Sequence, residues 1–301
     1  MIKRLISMLA FLISFNGALY PQTGSAGFAI LKIGFTAKEL SLGGSADVVS
    51  SDPVSVLTNP ASLAFVPGEM QSSNLSLTHQ KYIAGSTIDF LGSRFRIKGI
   101  GLGTSILISN VPDIQVRTEP GPAQASFSAR DLLLGLGVGG SFNNLDLGIS
   151  ATYLYERIFV YESQGLAINA GLRYHLIKNA VVGLSIGNIG SASRMINQSI
   201  TLPTFVRIGG SYLHKFSKDF SGTGYIGIQS FKSGGFHTSI GGEVAYMGMI
   251  YLRAGYNTGK DLTGISFGTG FSYKFVRFDY SYIPMKLDFG NSQTFSLNFA
   301  I

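Results

Sequence analysis

The sequence predicts an all-β protein: a transmembrane antiparallel β-barrel of about fourteen strands, with a short N-terminal plug segment containing a little helix. Three observations predict it. The 301 residues are 45% hydrophobic and only 13% charged, with a mean hydropathy of +0.28. Even so, no run beyond the N-terminus reaches the roughly 18 apolar residues of a membrane helix. Beyond Met70, apolar residues alternate with small or polar ones at a period of two. The 39 glycines and 12% aromatic residues suit a curved barrel wall. Such a chain enters a bilayer by closing its sheet, which pairs every backbone group and leaves no edge.

Lys3 and Arg4 precede an apolar run over 5–15 that is too short to span. Residues 1–22 therefore read as a secretory signal peptide, cleaved between Ala18 and Thr23, and the protein is expected to leave the cytoplasm for a Gram-negative outer membrane. Residues 23–68 read as a plug or hatch. They hold an apolar piece at 28–35, a helical turn near 36–40, a Gly43-Gly44 break, and turns at Asp52-Pro53 and Asn59-Pro60. A segment this small has little core of its own, which favours a plug inside the barrel over a soluble cap.

Residues 69–301 read as the barrel. In 165–174, Leu166, Ile168, Ala170, Leu172 and Tyr174 share one face, and Gly165, Ala167, Asn169, Gly171 and Arg173 the other. Lipid outside and a polar lumen inside call for that split. The runs fall at 70–79, 82–95, 98–110, 127–142, 145–158, 163–175, 179–190, 203–214, 221–232, 235–246, 250–257, 262–273, 276–284 and 292–301. Long connections at 111–126 and 191–203 follow odd strands, as outer loops should. Asn143-Asn144, Met247-Gly248-Met249 and Lys274-Phe275 follow even strands, as tight turns should. Parity around Gly248 demands an odd turn and sets Glu243 opposite Arg253, both inward; parity around Lys274-Phe275 demands an even one. The chain ends in alternation, Thr294 to Ile301, as a closing strand would.

Little catalytic chemistry is visible. There is no nucleophile elbow, Walker loop or HExxH sequence, and Gly99-Ile100-Gly101-Leu102-Gly103 sits inside a strand with no helix after it. The absence of Cys removes disulfides and thiolate chemistry. His79, His175, His214 and His237 lie far apart near strand ends, so no metal site is expected. The expectation is a protein without enzyme activity, cofactor or nucleic-acid partner. A net charge of +7 suits an anionic headgroup layer as well as scattered basic turns. Arg173, Arg207, Glu243, Arg253, Arg277 and Asp279, together with Asp131 and Asp146, are expected to face the lumen. There they form a solvated ladder or a grip on the plug in preference to a permeation path. Tyr246, Tyr256, Tyr273, Tyr280 and Tyr282 read as interfacial girdle.

The N-terminal run contains Leu31-Lys32-Ile33-Gly34, Ala37-Lys38-Glu39, Leu42-Gly43-Gly44, Ala46 and Asn59-Pro60-Ala61-Ser62-Leu63; Phe127-Ser128-Ala129-Arg130-Asp131 follows later. In these residues the chain resembles the PorV/PorQ family of outer-membrane proteins, related to FadL-type transporters whose N-terminal hatch carries the same Asn-Pro-Ala. That family has an Asp-Asp pair and an aromatic residue where this chain has Ser51-Asp52-Pro53 and Leu57-Thr58. The resemblance implies a FadL-like barrel with Leu42, Gly43, Gly44, Asn59, Pro60 and Ala61 as the plug motif. It implies a part in type IX protein secretion, with secretion proteins or secreted cargo as partners. The competing reading is a transporter of hydrophobic small molecules. A sealed lumen and long loops would mark the first, an apolar pocket reaching the wall the second.

Overall fold

A computed structural model describes residues 27–65, 73–196, 198–232, 235–259 and 262–300. The expected signal segment, its cleavage region and Ile301 lie outside these residues. The strands are β1 (Ser73–Lys81), β2 (Thr87–Ile97), β3 (Ile100–Val116), β4 (Ala125–Phe142), β5 (Leu145–Ile158), β6 (Tyr161–Ile177) and β7 (Ala180–Ala192). They continue as β8 (Phe205–Lys215), β9 (Phe220–Phe231), β10 (Phe236–Tyr246), β11 (Ile250–Asn257), β12 (Ile265–Tyr273), β13 (Val276–Pro284) and β14 (Asn291–Ala300). Each pairs antiparallel with its sequence neighbours, and β1 pairs with β14 to close the barrel.

The tight turns set the register. Tyr246 faces Ile250 across three residues, and Tyr273 faces Val276 across two. Glu243 consequently stands opposite Arg253. Met247 and Gly248 adopt positive φ, 52° and 65°, as does Lys274 at 54°. Outward positions carry Leu75, Leu77, Leu134, Leu136, Leu147 and Ile149, all exposed, which makes the lipid-facing belt.

Several boundaries shift by one to three residues from the sequence expectation, and two differ more. The expected loop 111–126 is largely ladder, because β3 runs to Val116 and β4 starts at Ala125. Pro112, which has no N–H to donate, and Asp113 (φ 53°) sit in a bulge where the register shifts between Val111 and Ile114. That bulge breaks the alternation that marks a strand. Conversely, Tyr82 and Ile83 are apolar but not strand. Tyr82 N–H donates to Ser86 O at 2.8 Å and closes a short loop before β2.

Residues 27–65 lie inside the barrel. They form 3₁₀ turns at Ala29–Lys32, Pro53–Val56 and Pro60–Leu63 and one short helix, α1 (Ala37–Ser41). The main hydrophobic core joins this segment to the wall: Phe28, Leu31, Phe35, Val56 and Leu63 pack against Phe90, Leu107, Leu133 and Leu154.

Candidate functional site

The candidate site is the plugged lumen, and its local structure follows from a few residues. Thr36 caps α1, its Oγ1 accepting Glu39 N–H at 3.4 Å, and Ala37 N–H reaches Ser296 Oγ of β14 at 2.9 Å. Leu42 is fully buried, and Gly43 and Gly44 turn the chain away at φ 68° and 81°. Asn59 caps the turn that begins at Pro60. Its Oδ1 accepts Ala61 N–H at 3.1 Å, while its Nδ2 donates to Val48 O at 2.6 Å and Leu172 O at 3.4 Å. Asn59-Pro60-Ala61 is thus a cap, a helix start and a tie to β6 in three residues.

The plug rests on a belt of inward glycines. Gly101, Gly139, Gly148 and Gly171 are directly opposite one another across β3 to β6. Gly183, Gly209 and Gly227 continue the belt across β7 to β9, and Gly241 and Gly255 across β10 and β11. A Cβ on these residues would meet the plug in chain order. Gly255 would strike the Leu42–Gly43 backbone, Gly227 would come within 3.2 Å of Ser45 Cα, and Gly209 within 3.4 Å of Val48 Cβ. Gly171 would collide with Asn59, Gly148 with the Pro60 backbone, and Gly101 with Leu63 O. The small inward face of the strands is therefore the footprint of the plug backbone.

A second set of contacts is ionic. Arg253 Nε binds Glu243 at 2.6 Å and its Nη1 binds Asp279 at 2.7 Å; Arg277 Nε shares that Asp279 at 2.8 Å. Arg277 also reaches Asp52 of the plug at 3.4 Å, where Lys38 approaches from α1 at 3.6 Å. Burial alone would lower the Lys38 pKa, but Asp52, Tyr225 and Glu243 together outweigh it and raise it. Burial pushes the Asp52 carboxyl up, and Lys38 and Arg277 together hold it well below the carboxylate range. Elsewhere, Arg173 binds Asp146 at 2.8 Å and donates to Val49 O and Ser51 Oγ of the plug. Arg207 faces Asp47 at 3.9 Å. Arg94, missed in the sequence, donates to Leu63 O at 3.0 Å and Ala64 O at 2.7 Å and covers the Phe65 ring. Of the expected lumen charges, Arg173, Arg207 and Arg277 contact the plug directly and Asp279 reaches it through Arg277, whereas Arg253 and Glu243 bind within the wall network.

The lumen also holds apolar residues that alternation alone hides. Phe90, Leu107, Leu133 and Leu154 face inward and lie directly opposite one another across β2 to β5. All four are buried, and Leu202, from the connection before β8, joins the same cluster. The signal for Leu133 was present as an unbroken Leu132-Leu133-Leu134 run, apolar on both faces. At the tight-turn end, a polar cavity of about 350 Å³ opens between Lys38, Asp52, Arg277 and Asn298.

Among the described residues, no three His, Asp or Glu side chains converge on a metal position. His79 and His175 instead pair with Asp89 at 2.7 Å and Asp146 at 2.8 Å.

No protein-family model matches the chain, and no curated protein sequence matches it, so the PorV/PorQ resemblance finds no support there. Solved structures do match. The Ralstonia pickettii toluene transporter TbuX aligns with a TM-score of 0.59 at 12% identity, over 89% of this chain and 97% of that one. The Pseudomonas putida toluene transporter TodX aligns at 0.58 and 15%, over 89% and 96%. The monoaromatic hydrocarbon channel CymD aligns at 0.59 and 15%, over 89% and 96%. At these identities the likeness is one of fold: a closed fourteen-stranded, FadL-like outer-membrane barrel.

Proposed function

We propose that the protein is an outer-membrane channel for hydrophobic small molecules, in which residues 23–68 form a plug that gates the lumen of the barrel at 69–301. The observation that carries this reading is the inward row Phe90, Leu107, Leu133 and Leu154. Barrel lumens are ordinarily polar, and an apolar row there provides a surface on which an uncharged ligand replaces the plug's own apolar side chains. The fold likeness to channels whose names specify toluene and monoaromatic hydrocarbons supports the same class of ligand. No enzymatic step, cofactor or nucleic acid enters this reading, and export depends on residues 1–22 acting as a signal peptide.

The second reading, a partner-binding barrel of type IX secretion, draws on the PorV/PorQ resemblance and on a lumen filled by the plug. The β5–β6 connection, expected to be an outer loop, is only the two residues 159–160, which gives a protein partner little to hold there. The test is uptake of a labelled monoaromatic hydrocarbon by cells carrying the chain in their outer membrane, alongside Leu133→Gln. Uptake above control cells that falls severalfold in the variant supports the channel. Unchanged uptake, with type IX components recovered on the protein from native membranes, overturns it.

A further inference from the structure

Glu39 is an ionisable group in the lumen that takes no part in the ionic contacts described above. It sits in α1, is 1% exposed, and among the described residues neither of its carboxyl oxygens accepts a well-formed hydrogen bond, the Thr36 hydroxyl offering only a weak one. Its chain neighbour Lys38 turns toward Asp52. Buried carboxylates are ordinarily paired or neutral, and one left without a partner calls for a role.

The surroundings of Glu39 disfavour its charge. Asp47 and Asp52 of the plug are close enough to repel a carboxylate, while Arg207 of β8 and the Thr36 hydroxyl favour it and are outweighed. α1 packs on β11 to β14, whose inward charges are Arg253, Arg277 and Asp279. Those three bind one another, Glu243 and Asp52, and Arg207 is shared with Asp47. Lys38 and Tyr225 complete the nearby titratable groups. Burial first, then the two carboxylates, raise the Glu39 carboxyl well above its ordinary value.

We propose that Glu39 is a proton-binding site that holds the plug: the plug seats with Glu39 neutral, and loss of the proton to water leaves a carboxylate that regains hydration only as α1 leaves the lumen. This rests on the reading of the plug as a gate. The seated form binds the proton more tightly than the released form. Seating is therefore strongest below the ordinary carboxyl value of 4.5 and weakens as pH rises through the elevated one. Asp52 has the opposite sign, since its contribution is present above its ordinary value of 3.8 and is lost below it. The two groups thus act in separate windows.

The chain has no cysteine, so Ser41→Cys gives a single thiol on α1, buried in the seated plug. Maleimide labelling of the full chain in lipid bilayers, referred at each pH to the denatured chain, reports plug release. With Glu39 present, labelling should accelerate by up to about tenfold per pH unit as pH rises above the ordinary carboxyl value of 4.5 and through the elevated one. With Glu39→Gln it should be flat. An infrared titration of the unsubstituted protein should show a carboxylic-acid band lost over the same window and missing in E39Q, which keeps the test open if that variant folds poorly. Equal slopes in both backgrounds, or Glu39 ionised throughout, would overturn the proposal. Labelling follows the plug whether or not a hydrocarbon passes. Flat labelling with normal uptake removes only the proton site, and pH-dependent labelling without uptake upholds it while removing the transport reading.

Discussion

The wall of this barrel carries its order in its own ladder, closed from β1 to β14, whereas the plug makes only short helical turns and takes its order from what surrounds it. Within residues 27–65 the longest regular element is five residues, too short to persist alone. What holds it is external: backbone pressed on the glycine belt, and Arg94, Arg173, Arg253 and Arg277 reaching in or bracing those that do. A membrane wall must satisfy its backbone within itself, while a plug need only satisfy its own against the wall.

The sharpest way to break this contrast is at Asp279, fully buried between Arg253 and Arg277. Asp279→Asn leaves the buried Arg253 and the half-buried Arg277 guanidinium short of charge. It should cost about 3–5 kcal/mol, read as a lowered urea midpoint in detergent. Gly148→Val should cost somewhat less, of the order of 1–3 kcal/mol, because its side chain meets the Pro60 backbone. Its signature is a plug cleaved by added protease within an intact barrel. Gly140→Ala is the control, since a Cβ there meets nothing within 4 Å and should leave protease resistance unchanged. Asn59→Ala removes the cap on Pro60–Leu63 and the tie to Val48 O. It should cost about 1 kcal/mol by the same urea measurement, with the barrel's own strand content intact by circular dichroism.

The same contrast explains what the sequence made legible. The wall was legible because a period of two is a local signal; β5 (Leu145–Ile158), β11 (Ile250–Asn257) and β13 (Val276–Pro284) begin and end where alternation does. It failed at Pro112-Asp113, where a bulge interrupts alternation without ending the ladder, and at Tyr82-Ile83, where apolar residues close a loop. The plug was legible only as departure from the pattern. Gly43-Gly44 and Asn59-Pro60 announced turns, yet nothing local says that Asp52 would meet Arg277, 225 positions away. The belt itself was in view as small residues on one strand face, without the knowledge that a backbone lies against them. Glu39 has no local signal at all, because its burial is a property of the closed lumen.

If the plug gates transport as proposed, passage requires it to leave the belt. A Cβ at Gly241 would lie 2.5 Å from Ser45 Oγ and 2.8 Å from Leu42 O, so Gly241→Cys with Ser45→Cys, once protease resistance shows the plug still seated, links wall and plug by a disulfide in a chain that otherwise has no thiol. Oxidised protein should then lose hydrocarbon uptake in outer-membrane-bearing cells and recover it on reduction. Uptake equal in the oxidised and reduced states would contradict it.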